Sequence, residues 1–345
     1  MKLLVFSEAA AGGVLSVVSD QLRVLSDLVP DLEVDFVYCD RSETPSNIAQ
    51  LLPPCCTVHN LGVVREDSFY LIKMYRKLKA NFIGESYDAI HLHSSISGFV
   101  GKASYFKFRR KVFYTPHCYA FLAKDRGSFS RFSYLIVEAF LGRIGTVIAC
   151  GDSEYMYAGL LMSRRKLVRN GVDFKDSSPN SKVVDIVSVG RICEQKGFDS
   201  FNRLMDLICH RYKCVWVGGP TVFEKERAYE ITGWISRNEV NDILSKSRVY
   251  VSTAEWEGLP VAPIEAQAMG IPVVALDRPG IRDVVVHGVT GYLCKNVEEM
   301  ALFLDNLLKD DDLYKRLSKH AISTALDRFS LDNYKNLVDI YRKAE

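Results

Sequence analysis

The sequence predicts an α/β protein of two domains, each built around a parallel β-sheet. Short apolar runs alternate with longer amphipathic segments along the whole chain, which is typical of βαβ units. The chain has 345 residues, enough for two domains that each bury a core. A polar stretch rich in Ser, Pro and Asn, Asp173–Lys182, lies near the middle of the chain and is the best candidate for a linker.

In the first half, strands are predicted where apolar residues run together, and helices where they recur every three or four positions. The predicted strands are Lys2–Ser7, Glu33–Cys39, Cys56–Leu61, Asp88–His93, Val112–His117 and Thr146–Gly151. The predicted helices are Val14–Leu28, Phe69–Ile83, Phe99–Phe108, Ser130–Leu141 and Glu154–Met162. The stretch Val168–Asp173 is interpreted as a strand end followed by a turn.

The second half repeats the alternation. Its predicted strands are Val183–Gly190, Lys213–Gly219, Val249–Ser252 and Ile271–Leu276. Its predicted helices are Phe198–Cys209, Glu239–Ser247, a helix between Pro260 and Gly270, Val297–Leu308, Asp311–Phe329 and Leu331–Lys343. Pro near the first turn of a helix and Gly just past its end match the usual preferences of helix ends. We therefore expect one domain at residues 1–172, another at 183–328, and a final helix at 329–345.

The segment around the Pro260 helix holds the most informative polar residues. Gly258 lets the backbone approach a ligand closely, and the free N–H groups near Gly258 and Leu259 favour an anion at the helix start. Glu257 precedes this helix and Glu265 lies inside it. A carboxylate beside a phosphate site is better suited to sugar or ribose hydroxyls. The alternative is that both are ordinary surface glutamates.

Two cations follow the first strand of the second half. Arg191 and Lys196 stand five positions apart in a loop that contains Gly190 and Gly197. A guanidinium offers a planar fork of donors and an ammonium a point charge, which together suit a diphosphate. A solvated basic loop is the alternative.

Three further features concern the first half. Gly12 and Gly13 precede a helix and allow close approach to a ligand, although a tight turn without a ligand is equally compatible with them. His117 ends a predicted strand, and ligands of open α/β sheets bind at the carboxyl ends of strands. His91 and His93 share one strand face, where a structural role is favoured over metal binding because no third ligand stands out.

The stretch from Glu257 to Glu265 resembles the Glu-x7-Glu motif of retaining glycosyltransferases of family 4, which have the GT-B fold. Gly190-Arg191 with Lys196-Gly197, the Gly13 loop and Thr-Pro-His117 resemble further parts of that family. The resemblance implies two Rossmann-like domains facing a central cleft, with the C-terminal helix returning to the N-terminal domain. It also implies that the first domain binds the acceptor and the second the nucleotide sugar.

The resemblance assigns roles to these residues. Arg191 and Lys196 would neutralise the leaving diphosphate with the amides near Gly258, Leu259 and Pro260, while Glu257 would orient the donor sugar and Glu265 the ribose. Four further implied contacts are His117 with the sugar, Gly13 with the donor, and Trp234 and Ile235 with the base. No cofactor or metal is implied, because the side-chain cations take the place of a metal ion.

We therefore predict transfer of a hexose or N-acetylhexosamine from a nucleotide-diphosphate sugar, with UDP favoured, to a saccharide acceptor that is expected to be lipid-linked. A non-hydrolysing nucleotide-sugar epimerase and a non-catalytic GT-B partner subunit are the alternatives. A retaining glycoside hydrolase is disfavoured, because two helical residues eight positions apart lie about 12 Å from each other, beyond the ~5 Å that such an enzyme needs.

Composition and charge limit the partners. The net charge of +2 excludes strong global attraction to nucleic acid. Residues 1–170 contain 21 Lys and Arg against 16 Asp and Glu, and much of this excess lies in Leu71–Lys79 and Lys102–Lys111. We expect these two segments to attach the protein to the inner face of an anionic plasma membrane. Nine irregularly spaced cysteines predict reduced thiols in the cytoplasm.

Overall fold

The computed structural model describes residues 1–41, 43–174, 182–219 and 227–343. These residues form two compact units. The first unit comprises residues 1–171 together with the C-terminal segment that begins at Leu331, and the second runs from Val172 to Ser330. Positions 175–181, which make up most of the predicted linker, lie outside the described residues.

The described part of the first unit contains one parallel sheet of seven strands. They are β1 (Lys2–Ser7), β2 (Glu33–Tyr38), β3 (Cys56–Asn60), β4 (Ala89–His93), β5 (Val112–Thr115), β6 (Thr146–Ala149) and β7 (Arg164–Leu167). Their order across the sheet is β3-β2-β1-β4-β5-β6-β7. The chain therefore reverses its winding direction between β1 and β4, and the carboxyl ends of two such strands are where doubly wound sheets bind ligands.

Four of the connecting helices begin two to four residues earlier than predicted, whereas α3 begins one residue later. In the described residues they are α1 (Gly12–Leu28), α2 (Ile48–Leu51), α3 (Tyr70–Phe82), α4 (Ser95–Ser104), α5 (Ser128–Leu141) and α6 (Asp152–Leu160). The prediction of a helix over Phe99–Phe108 is wrong in position. The backbone leaves the helical conformation at Tyr105 (φ −105°, ψ 25°), and a 3-10 turn, Phe106–Lys111, follows.

Strand β7 comes earlier in the chain than the predicted strand end at Val168–Asp173. Its residues pair with β6, from Arg164 opposite Thr146 to Leu167 opposite Ala149. The run Arg164-Arg-Lys166 carries little apolar character, so periodicity does not reveal it as a strand. Charged side chains suit an edge strand such as β7 because they discourage pairing with another chain.

The described part of the second unit contains a parallel sheet of six strands. They are β8 (Val184–Val189), β9 (Cys214–Val217), β10 (Glu230–Ile231), β11 (Ser247–Ser252), β12 (Val273–Leu276) and β13 (Gly291–Cys294). The order is β10-β9-β8-β11-β12-β13, so the winding direction reverses between β8 and β11. Buried residues from the strands and the flanking helices, among them Ile186, Phe201, Trp216, Val251 and Leu304, form its core.

Local sequence explains where the helices of this unit begin. They are α7 (Phe198–Ile208), α8 (Arg237–Ser245), α9 (Val261–Ala268), α10 (Val297–Lys309) and α11 (Asp311–Arg328). A capping box between Ser236 and Glu239 starts α8 two residues before the predicted position. Pro260 precedes the first residue of α9, and Gly270 follows its end with a φ of +71°. Pro260 and Gly270 therefore explain why α9 begins and ends where the sequence predicts.

The C-terminal segment joins the first unit, as predicted. A 3-10 turn, Leu331–Lys335, precedes α12 (Asn336–Arg342), where a single longer helix was expected. The Gly171 N–H donates to the hydroxyl of Tyr334 at 2.8 Å. The hydroxyl of Tyr341 lies 2.7 Å from Nδ1 of His91 in β4. Both tyrosines are buried, so these bonds attach the C-terminal segment firmly to the first sheet.

The two segments expected to face a membrane use several of their cations inside the protein. Lys102 is only 1% exposed, and its ammonium lies 4.0 Å from the centre of the Tyr114 ring. Lys111 donates to the carbonyl of Tyr87 at 3.0 Å, and Lys77 to that of Leu61 at 2.7 Å. Lys102 is therefore not available to a lipid surface, whereas Lys77 stays exposed despite its hydrogen bond. Apart from Lys102, the membrane contact of these segments stays a prediction.

Within the described ranges, no helix combines the length and the apolar character that a membrane span requires.

Candidate active site

Two loops meet at the point where the second sheet reverses its winding direction. Strands β8 and β11 are parallel neighbours, with Ile186 opposite Val249. The loops that follow them therefore leave from the same edge of the sheet. Two hydrogen bonds join the loops: the Glu255 N–H donates to the carbonyl of Gln195 at 2.9 Å, and the Thr253 hydroxyl donates to the carbonyl of Lys196 at 3.1 Å.

An ion pair connects the two loops. Nζ of Lys196 donates to Oε1 of Glu257 at 2.5 Å, and the two side chains are 26% and 12% exposed. The pair therefore lies at the rim of the sheet, where partial exclusion of water strengthens electrostatic interactions. Both residues border a depression of about 250 Å³ that is open to solvent, together with Ser188, Tyr250 and Pro263.

Arg191 lies in the same loop as Lys196 and is exposed. Its guanidinium donates to Oε1 of Gln195 at 3.1 Å, and Nε2 of Gln195 donates to the carbonyl of Trp256 at 3.4 Å. Gln195 therefore links Arg191 to the loop that carries Glu257. One guanidinium and one ammonium at the carboxyl edge of a parallel sheet are suited to hold a diphosphate.

Two glycines allow other loops to approach the loop after β11 closely. Gly197 belongs to the loop after β8, and Gly280 belongs to the loop after β12. Gly197 has a φ of +64°, and a Cβ at this position would overlap the carbonyl oxygen of Thr253. Gly280 has a φ of +84°, and a Cβ there would overlap the carbonyl oxygen of Gly258. A side chain at either position would push the backbone apart, so both glycines are required for the observed geometry.

The start of α9 offers backbone donors beside this pair. Gly258, Leu259 and Pro260 are buried, and the N-cap residue Pro260 provides no side-chain hydrogen bond to the helix. The first N–H groups of α9 therefore have no side-chain cap, and such groups favour an anionic ligand. This arrangement places Glu257 next to a helix N-terminus, as the sequence predicts.

Glu265 makes a contact that the sequence analysis did not identify. Its Oε1 accepts a hydrogen bond from Arg237 at 3.0 Å. Arg237 is the first residue of α8 and follows the candidate base-pocket residues Trp234 and Ile235 by three and two positions. Trp234 is 62% exposed, so its ring is not part of the buried core. The ion pair thereby attaches the Trp234–Ile235 segment to the helix that carries Glu265.

In the first unit, His117 lies at the carboxyl edge of the sheet beside His93. Strands β4 and β5 pair with His93 opposite Thr115. Nδ1 of His93 and Nε2 of His117 share a hydrogen bond of 2.9 Å. Burial lowers the pKa of His117 from 6.5 to about 4 and that of His93 well below its ordinary value. Both imidazoles are therefore neutral at pH 7, and His117 acts as a hydrogen-bonding group rather than a cation.

The backbone at His117 is strained and is held by a buried carboxylate. His117 and Cys118 have φ angles of +55° and +111°, a region that L-residues rarely adopt. Glu154 accepts hydrogen bonds from the Cys118 N–H at 3.0 Å and from the Cys150 N–H at 2.9 Å. Burial raises the pKa of Glu154, while these bonds lower it. Glu154 therefore positions the turn that carries His117.

Gly13 belongs to the first turn of α1, which follows the carboxyl end of β1. An ideal Cβ on Gly13 would have no atom within 4 Å, so this position faces open space. The helix has no side-chain cap at its start. The predicted approach of a ligand to Gly13 is thus sterically possible within the first unit.

Within the described ranges, no group of three or more His, Cys, Asp and Glu side chains is arranged to hold a metal ion.

Comparison with known proteins identifies the second unit. The family model described as Glycosyl transferases group 1 matches residues 171–324. The chain carries a group 1 glycosyl transferase domain. This domain includes the Lys196–Glu257 pair, Arg191, Arg237 and Glu265.

Two relatives match beyond this group 1 domain. An uncharacterised 41.2 kDa protein of the cps region of Klebsiella pneumoniae is 26% identical over 85% of this chain and 86% of its own. The UDP-Gal:alpha-D-GlcNAc-diphosphoundecaprenol alpha-1,3-galactosyltransferase of Escherichia coli is 26% identical over 82% of this chain and 80% of its own. Among solved structures, sucrose-phosphate synthase from Thermosynechococcus elongatus is similar with a TM-score of 0.82 and 19% identity, over 99% and 98% of the two chains. The fold is GT-B, as predicted.

Some residues near the group 1 motifs were not found from the sequence. Gln195 and Arg237 gain their importance from partners 61 and 28 positions away, which no local pattern reveals. His93 was interpreted as structural, but its ring contacts His117. Glu154 follows a strand as an ordinary helix-start residue, and only its burial distinguishes it.

Proposed function

We propose that this glycosyltransferase transfers a hexose or N-acetylhexosamine from a UDP-sugar to a saccharide acceptor with retention of the anomeric configuration. The observation that carries the proposal is the Lys196–Glu257 pair at the switch point between β8 and β11. A cation for phosphate and a carboxylate for sugar hydroxyls stand there within 2.5 Å of each other. This is the composition that a sugar bonded to a diphosphate requires.

We assign to residues of the group 1 domain the donor-binding roles that the resemblance implies. Arg191 and Lys196 bind the diphosphate, assisted by the backbone N–H groups after Gly258. Glu257 accepts hydrogen bonds from the donor sugar. Glu265 accepts hydrogen bonds from the ribose, and Trp234 and Ile235 contact the base. Arg237 holds the Glu265 carboxylate in place through its 3.0 Å hydrogen bond.

In the proposed reaction, the bond between the anomeric carbon and the diphosphate oxygen breaks while the acceptor hydroxyl attacks from the same face of the sugar. The bond electrons pass to the diphosphate, and the proton of the acceptor hydroxyl passes to a phosphate oxygen. Arg191 and Lys196 neutralise the growing negative charge, which is the largest contribution expected of such groups. We assign His117 a contact with the sugar and require neither metal nor cofactor.

The acceptor is proposed to be a lipid-linked saccharide in polysaccharide synthesis, with the protein attached peripherally to the cytoplasmic face of a membrane. Support comes from the name of the Escherichia coli relative, which specifies a diphosphoundecaprenol acceptor, and from the cps region of the Klebsiella relative. Both relatives match more than four fifths of this chain.

The test is incubation of the purified protein with UDP-, GDP- and ADP-sugars, scored for slow donor hydrolysis and for epimerised sugar. We expect hydrolysis with one or more UDP-sugars, and hydrolysis slower by about 30- to 1,000-fold in Lys196→Ala. When the sugar is transferred to a lipid-linked acceptor, NMR of the product should show that its anomeric carbon keeps the configuration it has in the donor. Epimerised sugar without transfer would favour the epimerase, and the absence of any turnover or nucleotide binding would favour a non-catalytic subunit.

A further inference from the structure

Helix α5 of the first unit exposes an apolar face. Its exposed large side chains are Phe129 (84%), Phe132 (59%), Leu135 (37%), Ile136 (53%) and Phe140 (77%). Ser128 is the one other exposed residue of this helix. Large apolar side chains are rarely grouped on the surface of a protein without a partner to cover them. The grouping on one helix distinguishes α5 from the isolated apolar residues found elsewhere on the surface.

The helical geometry aligns four of these side chains. Successive residues of an α-helix are rotated by about 100°, so Phe129, Phe132, Ile136 and Phe140 lie within a stripe about 80° wide and about 16 Å long. Glu138, the one acidic residue of α5, points to the opposite side. Its carboxylate is buried and accepts a hydrogen bond from the Tyr114 hydroxyl at 2.9 Å. The stripe therefore contains no charged group.

Positive charge predominates in the part of the chain that contains this stripe. Residues 101–170 contain 13 Lys and Arg but 4 Asp and Glu. Three of those four acids are occupied, because Glu138 and Glu154 are buried and Asp152 pairs with Arg169 at 2.6 Å. The exposed cations of the same region are Lys107, Arg109, Arg110, Lys124, Arg143, Arg164 and Lys166. An apolar stripe in a region with an excess of exposed cations is complementary to a bilayer with anionic headgroups.

The ends of α5 carry two of these cations and further apolar side chains. Lys124 precedes the helix, and Arg143 follows it by two positions. At the C-terminal end, a Cβ on Gly142 would lie 3.2 Å from the carbonyl oxygen of Leu161, so the end of α6 lies next to the end of α5. Leu160 and Met162, which are 72% and 76% exposed, therefore extend the apolar surface.

Helix α5 is also attached to the loop that carries His117. That loop runs from the carboxyl end of β5 to the start of α5, and Nε of Arg131 in α5 donates to the carbonyl of Phe121 in the loop at 3.0 Å. The N-terminal end of the stripe, at Phe129, thus belongs to the same edge of the first sheet as His117.

We infer that the stripe of Phe129, Phe132, Ile136 and Phe140 inserts into the interfacial layer of an anionic bilayer, with the exposed cations of the same region on the headgroups. This inference rests on the proposed function, because a lipid-linked acceptor is reached at a membrane surface. It replaces the two basic segments predicted from the sequence by α5 as the element that enters the lipid. The exposed cations of the 3-10 turn, Lys107, Arg109 and Arg110, contribute to headgroup contact.

The first experiment is flotation of the full chain with vesicles of zwitterionic lipid alone or with increasing anionic lipid. The test variant is Phe129→Ser/Phe132→Ser/Phe140→Ser, and the matched control is Leu207→Ser/Leu302→Ser/Leu326→Ser, which changes three exposed apolar residues of the second unit. We expect wild type and control to float with anionic vesicles. The test variant should lose at least about tenfold in partition coefficient.

A second measurement reports insertion directly. Phe132→Trp should shift its emission to shorter wavelength with anionic vesicles and be quenched by lipids with brominated acyl chains, whereas Leu302→Trp should change in neither respect. Wild type that stays unbound on strongly anionic vesicles, or a test variant that floats as well as wild type, would overturn the inference. So would a dimer that the three Ser substitutions dissociate while vesicle binding is absent.

Donor hydrolysis without lipid separates this inference from the proposed function. The Phe-to-Ser variant should hydrolyse a UDP-sugar at the wild-type rate, because none of its substitutions lies in the donor site. Hydrolysis without flotation would leave the proposed sugar transfer from a UDP-sugar standing and reject the membrane role of α5. Flotation that depends on α5, without any donor turnover, would support the membrane role of α5 and reject the proposed glycosyl transfer.

Discussion

Lys196 and Glu257 are separated by 61 positions in the chain, yet their ammonium and carboxylate groups meet at 2.5 Å. The adjacency of β8 and β11 brings them together, and Gly197 allows the close approach of their loops. A pair so near the surface adds little to stability. We propose that it serves the ligand instead.

Replacing Lys196 by Ala should reduce donor turnover while leaving the fold intact. A lost charge-assisted contact to the leaving diphosphate is expected to cost roughly 2–4 kcal/mol of transition-state stabilisation, about 30- to 1,000-fold in kcat. Arg191→Ala should act in the same direction. The exposed Lys319→Ala on α11 is the matched control. Rates near wild type in both site variants would reject the diphosphate assignment.

Glu265→Gln should weaken binding of free UDP. A neutral amide is a poorer acceptor for two ribose hydroxyls than a carboxylate, and we expect a loss of about 1–2 kcal/mol in binding free energy. Isothermal titration calorimetry with UDP measures this. Glu298→Gln is the control, because Glu298 also pairs with an arginine, Arg203, but at an exposed site. Equal affinities of wild type and Glu265→Gln would contradict the ribose role.

Glu154→Gln should lower turnover by disturbing the turn at His117. One carboxylate oxygen that accepts from a backbone N–H becomes an NH₂ group facing a donor, which should cost about 1–3 kcal/mol in unfolding free energy. We expect kcat to fall while the KM for the donor changes little. Glu138→Gln is the control, because Glu138 is equally buried but bonds to Tyr114. A similar loss of kcat in both variants would show that Glu154 has only a structural role.

The buried His91 should make folding stability depend on pH. The Thr115 hydroxyl donates its proton to the carbonyl of Ile148, so it accepts from Nε2 of His91 and leaves Nδ1 to accept from Tyr341. Burial lowers the pKa of His91 from 6.5 to about 3. Between pH 3 and pH 6.5, the His91 side chain is protonated in the unfolded state but neutral in the folded state. The contribution of His91 is therefore complete above pH 6.5 and is lost as the pH falls.

The predicted slope is about 1.4 kcal/mol of unfolding free energy per pH unit between pH 6 and pH 4. Urea unfolding of wild type and His91→Gln over this range measures it. The buried glutamates titrate alike in both proteins, so they cancel in the comparison. Parallel pH profiles for the two proteins would reject a neutral, buried His91.

The sequence by itself predicted those features that depend on interactions between residues close together in the chain. The alternation of apolar runs with amphipathic segments predicted most strands and helices, because side-chain periodicity follows directly from backbone geometry. Pro260 and Gly270 marked the ends of α9 for the same local reason. The cations at 191 and 196 and the carboxylate at 257 were recognised because each lies in a glycine-containing loop, and Glu265 was recognised by its spacing from Glu257.

Only the tertiary structure decided which of these residues meet. The pairing of β8 with β11 joins Lys196 to Glu257, and the start of α8 joins Arg237 to Glu265. Whether a polar side chain is free or occupied also depends on the fold. Lys102 looks like a surface cation in the sequence but is buried over Tyr114, whereas the phenylalanines of α5 look like core residues but are exposed. Periodicity identifies the faces of a helix, but only packing between distant segments determines which face is covered.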